Sequence, residues 1–245
     1  DSDYFVIEAD EYNRNFHNYT PSIAMIVNIE MDHPEYYTSY EEMLDAYVDF
    51  VLKLKDEKIL ILNVDSQGVR DLLMKLKDKN EMKEIRVITY SGVSKAEGEI
   101  QYTIIKPTIE NTKYEVITGD MRSQFQLSVP GKHNVSNSIG VIIAARILNI
   151  EDEGIQKALS SYTGIGRRFD KRGKVGNMTI IDDYAHHPTE IKATLETCKM
   201  AGNNTKICVI FEPHQVARLS LLFDSFVEAL NIADTVIITK TFLGR

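Results

Sequence analysis

Short apolar runs alternate with amphipathic stretches along most of the chain. Tyr4–Glu8 opens with such a run. Ser22–Asn28 is continuous and apolar, as in a parallel strand buried on both faces. The stretch between them is long enough for a crossover. Ser39 followed by Glu42 has the spacing of a capping box and predicts a helix to about Leu54. Lys58–Asn63 predicts a strand, Asp65–Leu76 a helix and Glu84–Tyr90 another strand. The pattern then changes. Glu99–Ile105, Thr112–Ile117 and Ser123–Val129 are short, with turn-forming Gly and Asn between them, and predict an antiparallel ribbon. Asn134–Leu148 and Asp152–Ser161 predict two helices, and Thr163-Gly164-Ile165-Gly166 breaks the pattern. Beyond that hinge, alternation resumes with Met178–Ile181, Pro188–Met200, Lys206–Phe211, Val216–Leu230 and Thr235–Thr239, strand and helix in turn. Pro188 at the first helical position and Glu190 at the third suit a helix start. The class is α/β: a mainly parallel sheet with a small antiparallel ribbon, then a second α/β unit. The expected division is 1–163 and 164–245.

Composition narrows this picture. A chain of 245 residues with 43% hydrophobic content is globular and suits two domains. No apolar run reaches the ~18–20 residues that span a membrane. The chain opens at Asp1, directly before an apolar run, and its alternation stops at Arg245. Both ends predict a piece of a longer protein. The net charge of −8 argues against generic nucleic-acid binding, which rests on phosphate neutralisation. Cys198 and Cys208 sit in apolar surroundings and are expected to be buried thiols, consistent with a reducing cytoplasm.

Five of the six histidines fall in compact polar clusters where strands run into loops. Histidine titrates near neutral pH and readily ligates metals. Glu8 ends the first expected strand and His33 follows the second; at strand carboxyl ends these groups could hold Mg²⁺ or Mn²⁺, or be a capped loop and a hydrogen-bonded histidine. Gly131-Lys132-His133-Asn134 opens a helix on which Asn134 and Asn137 share a face; the pair could read a purine edge or simply cap. Arg167 and Arg168 could clamp phosphate or be a solvated surface pair. Asp182 and Asp183 end a strand, where carboxylates can bind ribose hydroxyls, and Tyr184–His187 leads into the next helix. His214 and Arg218, four apart, would share a face if that segment is helical and could bind a carboxylate. His17 belongs to no cluster. The chain has no nucleophile elbow, no zinc-type spacing and no Gly-x-x-x-x-Gly-Lys-Ser/Thr phosphate loop.

Six of these motifs, in order, resemble the Mur ligases, the ATP-dependent amino-acid ligases of peptidoglycan synthesis. They are Glu8-Ala-Asp-Glu11, Asn28-Ile-Glu-Met-Asp-His33, Gly131–Asn137, Gly166-Arg-Arg-Phe-Asp170, Asp182–Glu190 and Phe211-Glu-Pro-His214. The resemblance implies a three-layer central ATPase-type domain followed by an incomplete Rossmann-like domain. It also implies a cytoplasmic enzyme, a monomer or weak homodimer with no nucleic-acid or membrane partner, joining L-alanine to UDP-N-acetylmuramate through an acyl phosphate. ATP and Mg²⁺ or Mn²⁺ would be the cofactors. By the same resemblance, Glu8 and His33 would hold the metal. Asn134 and Asn137 would contact adenine, Arg168 and Asp183 would hold phosphate and ribose, and Tyr184 and His186 would lie near the reacting centre. His214 and Arg218 would bind the amino acid.

The chain departs from the family pattern in four places. The family's phosphate loop is absent, so this chain by itself is expected to be inactive. Gln215 stands where many relatives carry Arg, which removes a cation from the amino-acid site. Pro34-Glu35 replaces the usual Met-Asp. Tyr47 occupies the place of the carbamylated lysine of sibling ligases, as in the alanine-adding branch. A recycling ligase that attaches a tripeptide to the same sugar nucleotide is the alternative, disfavoured by Pro213-His214. A nucleotide-binding module that has lost its chemistry is a third reading.

Overall fold

The computed structural model describes residues 3–92, 98–202 and 204–242; Asp1 and Arg245 lie outside them. Packing groups the chain into two compact units, one reaching to Ser91 and one running from Ile100 onward.

The first unit is built on three parallel strands in the order β1 (Ile23–Ile26), β2 (Ile59–Asn63) and β3 (Arg86–Gly92), with Ile23 opposite Ile59 and Ile59 opposite Arg86. β2 is buried along its whole length, which is why its sequence shows no polar alternation. Helix α1 (Tyr40–Val51) follows β1, and α2 (Gln67–Leu76) follows β2. Ser39 Oγ accepts from the Glu42 N–H at 3.1 Å. The return half of the box is displaced by one residue: the Glu42 carboxylate accepts from Thr38 N–H and Oγ at 2.9 and 2.8 Å. Ser66 caps α2, and its hydroxyl also accepts from Ile29 N–H at 3.3 Å. Gly68 allows that closeness, since a Cβ there would stand 2.2 Å from the Ile29 carbonyl oxygen. The core gathers Phe16, Ile26, Met43, Val51, Leu60, Leu62 and Leu72.

The second unit begins with the antiparallel ribbon β4 (Ile100–Pro107), β5 (Thr112–Thr118) and β6 (Met121–Leu127), as the pattern predicted. Helices α3 (Lys132–Ile147) and α4 (Asp152–Ser161) follow. Next comes a hairpin, β7 (Asp170–Val175) and β8 (Met178–Asp182), turning on Gly176 at φ +58° and Asn177. Then come α5 (Pro188–Lys199), β9 (Cys208–Phe211), α6 (Val216–Leu221), α7 (Phe223–Leu230) and β10 (Thr235–Ile238). β9 and β10 pair in parallel, and Ile191, Leu195, Phe211, Phe226 and Leu230 form a core between sheet and helices.

Four expectations change. Tyr4–Glu8 forms no strand; Phe5 and Val6 are 87% and 90% exposed, so the run lacks the burial that an apolar parallel strand needs. β7 was not predicted, because Asp170-Lys-Arg-Gly-Lys-Val carries no apolar alternation and is held by pairing alone. The helix expected over Val216–Leu230 breaks at Leu222, where φ −110° and ψ 22° are not helical. Cys208 is exposed and Cys198 only half-buried. Among the described residues, no helix is long and apolar enough to cross a membrane.

Candidate functional site

In the first unit the loop after β1 carries His33 at φ +54°, a left-handed conformation that histidine tolerates better than most residues. Asp32 steadies it, its carboxylate accepting the His33 N–H at 2.7 Å. The imidazole lies among three carboxylates: Glu11 at 3.4 Å and Asp32 at 3.9 Å from Nε2, and Glu35 at 3.3 Å from Nδ1. Tyr12 flanks the ring, centroid to centroid 4.9 Å. The hydrogen bond to Glu11 leads these influences; burial opposes them, and the net result holds the ring's pKa up at about 9. Glu8 is exposed and is not among the carboxylates acting on His33. Among the described residues, no three His, Cys, Asp or Glu side chains converge on a metal position. Glu11 and Asp32 are the carboxylates beside His33 Nε2, and sequence spacing did not single out Glu11. His17, the unclustered histidine, bonds the Ala46 carbonyl through Nε2 at 2.7 Å and stacks on Phe16.

In the second unit, several predicted residues come together. The loop before β7 places Arg167 and Phe169 at φ +64° and +49°. Such positions cost roughly 1–3 kcal/mol each and persist only when surroundings dictate them. Three contacts do so here: Tyr184 N–H donates to the Arg167 carbonyl at 2.7 Å, Arg167 N–H to Asp170 at 3.3 Å and Phe169 N–H to Asp183 at 3.1 Å. Asp183, expected at a ribose, also accepts from Ala185 N–H and Thr194 Oγ, each at 2.9 Å. Its oxygens are thus engaged in joining the arginine loop, the histidine loop and α5.

Tyr184 stands at the centre of the cluster. The Arg167 guanidinium lies 4.6 Å from its ring centroid and that of Arg168 5.7 Å, both within cation–π range. The rings of His186 and His214 lie 5.0 and 5.9 Å from it and 6.1 Å from each other. His186 Nδ1 donates to the Tyr184 carbonyl at 2.9 Å. His187 is a helix cap, its Nδ1 accepting from Thr189 N–H at 3.4 Å while Glu190 completes the box.

His214 is not helical. It bridges to Phe242, whose ring is 5.1 Å away, and Gln215 follows at φ +61° as the cap of α6. The face expected to be shared by His214 and Arg218 therefore does not exist, and Arg218 is buried. The two are still coupled: burial first, then the charges of His186, Arg218 and Arg167, lower the His214 pKa against the pull of Glu212. Asn134 and Asn137 lie in the first two turns of α3, Asn134 donating its amide to the Pro130 carbonyl at 2.6 Å and Asn137 exposed. The sequence offered Arg167 and Arg168 as a pair; the structure puts Arg167 nearer to Tyr184 and adds Phe242, which no motif could have indicated.

Two arginines and two imidazoles gather around one tyrosine, on loops at the ends of strands in an α/β unit, an arrangement suited to an anionic ligand. The Mur ligase middle domain family matches residues 1–145, and the Mur ligase glutamate ligase domain family matches residues 167–244. The chain belongs to the Mur ligase family. The UDP-N-acetylmuramate–L-alanine ligase of Caldicellulosiruptor saccharolyticus is 37% identical, covering 100% of this chain and 52% of that protein. That of Clostridium beijerinckii is 36% identical, covering 100% and 51%. The chain spans about half the length of the curated relatives it matches. The structure of UDP-N-acetylmuramate-alanine ligase from Thermotoga maritima superposes with a TM-score of 0.71 at 27% identity, covering 94% of this chain and 48% of that one. A MurF structure from Acinetobacter baumannii gives 0.72 at 17% identity, covering 93% and 52%, and at that identity shows the fold alone.

Proposed function

We propose that the chain is part of a cytoplasmic ATP-dependent ligase that joins L-alanine to UDP-N-acetylmuramate. The observation that carries this reading is the cluster of Arg167, Arg168, Tyr184, His186 and His214, in a chain whose relatives bear that ligase's name. The muramate carboxylate oxygen attacks the γ-phosphorus of ATP and ADP leaves. The alanine amine, having lost a proton, then attacks the acyl-phosphate carbonyl, and the tetrahedral intermediate expels inorganic phosphate to give the amide. Each stage carries anionic charge that fixed cations stabilise best when aimed beforehand.

In this reading Arg168, with Arg167 beside it, faces phosphoryl oxygens. Asn134 and Asn137 face the adenine. Asp183 reaches the ribose while holding the arginine loop, and Tyr184 and His186 border the reacting carbonyl. His214 and Arg218 receive the amino acid, the buried Arg218 supplying positive charge and His214 a hydrogen bond. Mg²⁺ or Mn²⁺ belongs to the reading as the counterion of the phosphates, with no step assigned to Glu8 and His33. The 163/164 division is kept as the domain boundary; the two family matches bracket it.

Phosphate release by the complete protein, given ATP and UDP-N-acetylmuramate, tests the reading. L-alanine is expected to stimulate release more than glycine or L-serine. No stimulation by any of the three would leave a nucleotide-binding module, and stimulation by a tripeptide alone would indicate the recycling reaction.

A further inference from the structure

Glu190 is the third residue of α5, where a carboxylate or carboxamide caps a helix. Its Oε2 does so, accepting from the His186 and His187 N–H groups at 2.9 and 3.2 Å. Capping asks nothing of Oε1. That oxygen turns to a different element and accepts from the Arg168 guanidinium at 3.2 Å, 22 residues earlier in the chain. The carboxylate also lies 3.6 Å from His186 Nδ1. Burial pushes the Glu190 pKa up, but the two backbone N–H groups, His186 and Arg168 outweigh it and hold the group ionised.

The Arg168 side chain is 50% exposed, and a long cation so placed samples many rotamers. An exposed ion pair adds about 0–1 kcal/mol to stability. Its consequence here is directional. Asp183 and the Tyr184 N–H fix the backbone on either side of Arg168, and Glu190 fixes the direction of its side chain. We propose that Glu190 is a positioning residue that aims the Arg168 guanidinium at the anionic ligand, an inference resting on the reading of Arg168 as the nucleotide-facing cation.

A double-substitution cycle in the complete protein tests this, with ATP and magnesium as the titrated ligand. Glu190→Gln keeps a capping acceptor and the side-chain shape, so the melting temperature should stay within about 2 °C of wild type. The Kd for ATP should rise about fivefold, and the KM for ATP should rise with it while that for L-alanine stays unchanged. In an Arg168→Gln background, itself weaker for ATP, adding Glu190→Gln should change Kd less than about twofold. The same fold loss in both backgrounds, or no loss in either, would overturn the positioning role. If Arg168→Gln alone leaves ATP binding unchanged, the placement of Arg168 fails first and takes the proposal with it.

Discussion

Replacing His33 by Gln removes a cation from among Glu11, Asp32 and Glu35 while keeping a polar side chain of similar reach. The folded pKa of about 9 stands above the ordinary 6.5, so folding stabilises the protonated ring. At about 1.4 kcal/mol per pH unit this sets a ceiling of roughly 3 kcal/mol. His33 is 21% exposed and its partners 20–35%, so solvent screening brings the expected contribution to about 1–2 kcal/mol. The sign follows from linkage. The contribution is complete below pH 6.5, the unfolded value, shrinks as pH rises, and is lost through pH 9, the folded value. Urea unfolding of wild type and His33→Gln, followed by circular dichroism at pH 6, 7.5 and 9.5, reads it directly. The two proteins should differ most at pH 6 and converge at pH 9.5. A difference of the same size at all three values would mean that His33 acts through shape rather than charge, and would refute the ion-pair assignment.

Gly68→Ala should destabilise the first unit by about 2–4 kcal/mol, because the new methyl group meets the Ile29 carbonyl oxygen and backbone cannot yield cheaply; thermal unfolding measures it. Gly176→Ala is the contrast: φ is +58° but nothing lies within 4 Å, so about 1 kcal/mol is expected in the same measurement. Asp183→Asn should loosen the Arg167–Phe169 loop, detected as faster amide hydrogen exchange at Phe169, and unchanged exchange would contradict its bridging role. His214→Ala in the complete protein should raise the KM for L-alanine far more than that for ATP; equal changes would mark it as a packing residue.

Regular elements with a strong periodic signal were legible in the sequence. β2 read correctly because a strand buried on both faces is apolar throughout, and α5 because Pro188 and Glu190 mark its start. β7 was hidden, since its residues are exposed and only the Gly176-Asn177 turn hints at pairing. Tyr4–Glu8 misled for the opposite reason, an apolar run without a ladder. At the site, motif order indicated Arg168, Asp183, Tyr184, His186 and His214, and the fold brings their loops together. Spacing could not show that Asp183 and Glu190 act as struts, because that depends on hydrogen bonds between loops distant in sequence. Nor could it show Glu11 beside His33, because the short 3-10 turn that positions Glu11 contains two left-handed residues, Asn13 and Arg14.

The central claim is that phosphate leaves from an acyl phosphate made at the muramate carboxylate, opposite the arginine and histidine cluster. Oxygen-18 placed in that carboxylate tests it most directly. With the complete protein, ATP and L-alanine, each released phosphate should carry one labelled oxygen and the product amide should retain the other. Unlabelled phosphate formed together with the amide would contradict the account.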